Sequence, residues 1–130
     1  MILRHHTFLA TLAVALSGGP PALAQPRVAV PDAKQLLVAA IDAPDGRAHG
    51  ILTGTLADAI SQRFKATTPI HVDVLTERRY AQEGCRRMKV SFSQDGVVLP
   101  GAKAARRQTI DFGINYCRDG SPPKSRKEAP

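Results

Sequence analysis

Met88, Val90 and Phe92 alternate with Arg87, Lys89 and Ser91, and Ile110, Phe112, Ile114 and Tyr116 alternate with Asp111, Gly113 and Asn115. A period of two belongs to strands with one buried face. Ile70, Val72 and Val74, separated by His71 and Asp73, make a third such strand. Leu56, Ile60 and Phe64 instead recur every four residues, with Ala57 and Ala59 beside them, which predicts a helix opening at Gly54-Thr55. Thr55 is the expected cap, Asp58 suits the positive helix start, Arg63 and Lys65 suit the negative end, and Pro69 stops the helix. Gln35 to Asp42 is apolar and fits either a strand or a short buried helix. The turn sequence Ala43-Pro44-Asp45-Gly46 favours a hairpin to a return strand over Arg47 to Thr53, with Gly50 marking a weak point or bulge. Asp95-Gly96 and Pro100-Gly101 read as turns around a short Val97 to Leu99 strand, while Thr76 to Gly84 fits a loop or helical turns. The predicted fold is α+β: a small antiparallel sheet in the order β-β-α-β-β-β with one packed helix, over residues 35–117.

The two ends are read differently. Thr7 to Leu16 is an apolar run of ten residues between Arg4 and the breakers Ser17 to Pro21, followed by Ala22-Leu23-Ala24. That pattern predicts a secretory signal peptide over residues 1–24, cleaved near Ala24-Gln25, because a bilayer span needs roughly 20 apolar residues. The protein is expected in the periplasm or secreted, and not membrane-spanning. Residues 25–34, with Pro26 and Pro31, read as an extended lead-in, and residues 118–130, nearly free of apolar side chains, as a disordered basic tail.

Export into an oxidising compartment predicts that Cys85 and Cys117 are paired. Setting Cys85 opposite Cys117 in antiparallel neighbours places Met88 opposite Ile114, Val90 opposite Phe112 and Phe92 opposite Ile110. All three apolar pairs then share one face, whereas a slip of one residue sets apolar against polar throughout. The cysteines are too far apart in sequence for the two-residue spacing of thiol oxidoreductases, so the bridge is expected to be structural.

Lys and Arg number 18 against 11 Asp and Glu, a net charge of +7. Gln25 to Leu75 holds five of each sign, and Thr76 to Pro130 holds twelve basic and six acidic residues, so the excess lies in the C-terminal half. Arg78, Arg79, Arg86, Arg87, Lys89, Arg106 and Arg107 are the candidate interaction surface, expected to form one face where the strands align. Such a face attracts acidic proteins, nucleic acid or anionic lipid. Few aromatics accompany it, which argues against stacking on single-stranded nucleic acid.

Catalytic candidates are sparse. His71 and Asp73 share one strand face, but no serine, threonine or cysteine can be assigned to them by spacing. His49 and His71 show no ligand spacing with the cysteines, and no phosphate-loop pattern follows Gly50 or Gly54, so no metal and no cofactor are expected. The segments Gly84-Cys85-Arg86, Phe92-Ser93-Gln94-Asp95-Gly96-Val97 and Asn115-Tyr116-Cys117-Arg118-Asp119-Gly120 resemble small exported proteins of conjugative-transfer gene clusters. The resemblance implies an accessory role near a type IV secretion apparatus and assigns no individual residue a role. The expected function is a non-enzymatic envelope binding protein. The competing expectation is a disulfide-stapled inhibitor of an envelope hydrolase acting through the Asp95 to Arg107 loop.

Overall fold

A computed structural model describes residues 18, 19 and 26–130; the expected signal peptide lies outside the described residues. The fold is α+β. One five-stranded sheet in the order β1-β2-β3-β4-β5 consists of β1 (Val28–Val30), β2 (Arg47–Leu52), β3 (Ile70–Arg79), β4 (Cys85–Val97) and β5 (Arg106–Cys117). The helices α1 (Lys34–Asp42) and α2 (Thr55–Arg63) follow β1 and β2.

The sheet is mixed rather than antiparallel, because β1 runs parallel to β2 while the remaining pairs are antiparallel. The expected hairpin strand over Gln35 to Asp42 is the helix α1, and the lead-in supplies the first strand. Leu36, Leu37, Ala40 and Ile41 are buried, a spacing that makes one apolar stripe on a helix. The misleading signal was the turn. Gly46 N–H bonds Ala43 O and Gly46 sits at φ 68°, but this turn feeds a helix, not a strand, into β2. A helical crossover is what two parallel neighbouring strands require. Gly50 marks no bulge: a Cβ there would lie 2.8 Å from both the Leu36 side chain and the Val28 carbonyl oxygen, so glycine lets α1 settle against the sheet. In α2, Gly54 occupies the N-cap with no side-chain cap, and the expected cap Thr55 is the first helical residue.

The long strands differ from expectation in extent. β3 continues through the ambiguous segment to Arg79. Asp95-Gly96 is not a turn; β4 passes through it with a register irregularity between Gln94 and Val97, and Gly96 takes φ 70°. The reversal comes at Pro100-Gly101, where Ala102 N–H bonds Leu99 O. The predicted β4–β5 register is observed: Cys85 faces Cys117, Met88 faces Ile114, Val90 faces Phe112 and Phe92 faces Ile110. The disulfide closes with Cα atoms 4.0 Å apart.

Both helices lie on one face of the sheet, over Leu52, Ile70, Val72, Val74, Met88 and Val90. Their cover ends before the middle of β5. Ile110 and Phe112, expected as core, are 67% and 44% exposed, while Ile114 and Tyr116 pack at the margin of the core. The tail, expected to be mobile, folds back: Ala81 N–H bonds Lys127 O, Ala129 N–H bonds Arg79 O, and Glu128 bridges Tyr80. No described helix is long and apolar enough to cross a membrane.

Two stability measurements check this packing. Removing the bridge by Cys85→Ser with Cys117→Ser opens a loop of 32 positions, which should lower unfolding free energy in a denaturant titration by roughly 3–4 kcal/mol. Gly50→Ala should cost about 1–3 kcal/mol by overpacking Leu36 and the β1 backbone, whereas a glycine of simple strand weakness would gain from the change.

Candidate functional site

Strand alternation sends the polar side chains to the face that carries no helix. Paired residues share a face, so His49, Asp73, Ser91 and Asp111 form one row across β2, β3, β4 and β5. His49 Nδ1 lies 2.6 Å from Asp73 Oδ1, and Arg27 Nη1 donates to the same oxygen at 2.9 Å and to Gly50 O at 3.2 Å. Burial would raise the Asp73 pKa, but the hydrogen bonds from His49 and Arg27 and the Arg27 charge outweigh it and hold the carboxyl below the usual aspartate value. An ionised carboxylate only accepts, so His49 donates through Nδ1.

The histidine oriented by Asp73 is therefore His49, not the expected His71, which pairs with Ile51 and Ser93 one row along. A histidine held by a carboxylate has the form of a general base with its orienting group. Ser91, however, lies on the opposite side of Asp73 from His49, two strand spacings or roughly 10 Å away, where hydrogen-bond reach is about 3 Å. The cluster instead ties the segment before β1 to β2 and β3. Its members were visible in the sequence, but their meeting follows only from the β2–β3 register. Among the described residues no three His, Cys, Asp or Glu side chains gather as a metal-binding set.

The seven basic candidates divide between two faces. An irregularity between Thr76 and Arg78 sets Arg78 opposite Arg87 and Arg79 opposite Arg86 at consecutive positions. Arg87 and Lys89 share the open face with Arg78, whereas Arg79 and Arg86 point to the helix side, opposite Tyr116 on β5. Arg107 is on the open face some 20 Å along the strands, bonded to Asp95 at 2.9 Å and to Ser93 Oγ at 3.1 Å. Arg106 faces Val97 near the β4–β5 loop.

The β3–β4 end is thus an arginine ladder of two like-charged cross-strand pairs, an arrangement that is destabilising in itself. Arg86 donates from Nη1 to Cys85 O at 3.2 Å, while its buried Nε has no partner. Burial and the neighbouring charges of Arg79 and Arg118 lower its pKa. Arg118 is held by Asp42 at the end of α1. Glu128 approaches Arg78 at 3.6 Å with both side chains more than 60% exposed, a geometry that contributes little. Comparison with protein-family models, curated proteins and solved structures finds no match.

The Asp73 node makes a pH prediction. A carboxyl with a depressed folded-state pKa contributes stability above its unfolded pKa of about 3.8, and that stability disappears as pH falls through the folded value. Denaturant titrations from neutral to strongly acidic pH should show Asp73→Asn less stable than wild type at neutrality, by at most about 1 kcal/mol because the pairs are partly solvated, and the difference should vanish in acid.

Proposed function

We propose that this chain is a non-enzymatic, exported accessory module of the cell envelope that binds an acidic, extended segment of a protein partner at the β3–β4 arginine ladder. The observation that carries the reading is the pairing of Arg78 with Arg87 and of Arg79 with Arg86. Like charges opposed once on each face cost stability, and an anionic ligand seated on the helix-side pair Arg79–Arg86 recovers part of that cost on binding. Arg78 and Arg79, both exposed and one on each face, carry guanidinium donors suited to carboxylates. The chain's own Glu128, carried on a bridged segment beside Tyr80, is an example of the ligand chemistry: an acid presented from extended backbone. The separation of His49 from Ser91 by the width of β3 supports a binding role over hydrolysis. The envelope location and the link to a type IV secretion apparatus rest on the leader pattern and on the resemblance around both cysteines.

A single substitution separates binding from mere surface charge. Arg79→Thr removes one like-charge contact and places a β-favouring residue in a strand, so it should raise unfolding free energy by up to about 1 kcal/mol. The same variant should bind a short labelled peptide of alternating Glu and Thr several-fold more weakly in fluorescence anisotropy, and Arg79→Glu with Arg86→Glu by roughly tenfold or more. A control change at Arg63 on α2 should leave affinity unchanged. Equal losses at Arg63 and at the ladder would reduce the interaction to net charge and overturn the proposal.

A further inference from the structure

The two sheet edges are built in opposite ways. β1 has three residues and is flanked by Pro26 and Pro31, so it offers almost no pairing surface. β5 has twelve residues, with no proline or lysine among them, and no described strand pairs with its outer side. On its helix-side face lie Ile110, Phe112 and Ile114, the first two largely exposed, with Phe112 stacked on Phe92 at 6.0 Å between ring centroids. A long open edge with an uncovered apolar stripe is a template for another strand.

The geometry points to a second copy of this chain as that strand, joined β5 to β5 antiparallel about a twofold axis through Phe112. Backbone direction permits this register. Arg118 N–H bonds Gly84 O toward β4, whereas Cys117 N–H points away to Ser121 O. Alternation then turns the backbone groups of Thr109, Asp111, Gly113 and Asn115 outward. Centring on Phe112 sets Asp111 opposite the partner's Gly113 and Thr109 opposite the partner's Asn115, so every facing pair has outward hydrogen-bonding groups. Phe112 meets the partner's Phe112 and Ile110 meets the partner's Ile114. These fall at the close, non-hydrogen-bonded positions, and the two apolar stripes merge on one face of a continuous sheet.

Charge at the centre of the pairing agrees with this register. The Arg87 guanidinium lies over Gly113 in the space a Cβ would fill, and it makes no ion pair among the described residues. The partner's Asp111, directly opposite Gly113, arrives beside that guanidinium, and symmetry forms the contact twice. Of the two adjacent symmetric registers, the one centred on Asp111 would set Asp111 against the partner's Asp111, a like-charge opposition, and the one centred on Gly113 would move the partner's Asp111 off Gly113 to face Asn115. Gly113 is accordingly the position that admits Arg87 to the edge, and any larger residue there would displace it.

Sedimentation velocity on the full chain over a concentration series tests the dimer. The wild type should dimerise, Ile110→Lys should remain monomeric, and Asp111→Arg and Arg87→Asp should each raise the dimer dissociation constant by roughly tenfold. The double variant Asp111→Arg with Arg87→Asp, which restores opposite charges, should recover most of that loss. Ile110 and Asp111 are exposed in the single chain, so their variants keep the fold, and circular dichroism verifies it for each. Slower amide exchange at Asp111 and Gly113 with rising concentration gives an independent readout. A wild type that stays monomeric at all concentrations, a dimer unaffected by Ile110→Lys, or a double variant no tighter than the single ones would overturn the inference.

Discussion

Pairing along β4 is the constraint on which the molecule depends. Its thirteen residues are hydrogen-bonded on one side to β3 and on the other to β5, so its register decides which side chains meet across three strands. A slip of one residue against either neighbour would carry Lys89 and Ser91 beneath α1 and expose Val90 and Met88. The register is held at both ends by different chemistry. Cys85 is bonded to Cys117 at one end. Near the other, the buried Gln94 amide donates to Ser61 Oγ on α2 and to Thr68 O ahead of β3.

Because both helices fall on one side, the sheet has three unlike surfaces. Beneath α1 and α2 it is closed and apolar. On the open face the acid at Asp73 is paired with Arg27 and hydrogen-bonded to His49, which makes that cluster a tie between elements. Beyond the end of β2, the basic residues of β3 and β4 face each other with little acid near them, and unbalanced charge accumulates where the tail returns. The β5 margin is the third surface, apolar because its alternation matches β4 but bare because neither α1 nor α2 covers it. The binding surfaces proposed for this chain thus arise where the covering of the sheet stops.

Local pattern carried a large share of the architecture. Alternation in Met88 to Phe92 and Ile110 to Tyr116 was enough to place two strands, and with the cysteines it determined their register residue by residue, because period two leaves one pairing that keeps all apolar pairs on one side. The helix at Leu56 to Phe64 followed from its fourfold spacing in the same way. What local pattern could not separate was α1 from a strand: nine mostly apolar residues before a tight turn serve both, and α1 is selected by the parallel β1–β2 pair it must bridge. The meeting of His49 with Asp73 and the opposition of arginines required the β2–β3 register and an irregularity at Thr76 that no turn residue announces. The sequence by itself determined which residues alternate, where the bridge closes and how charge divides along the chain, since these depend on neighbours a few positions apart. Only the tertiary structure decided which apolar face is covered and which is left at an edge, because that depends on where helices of fixed length come to rest on a sheet wider than they are.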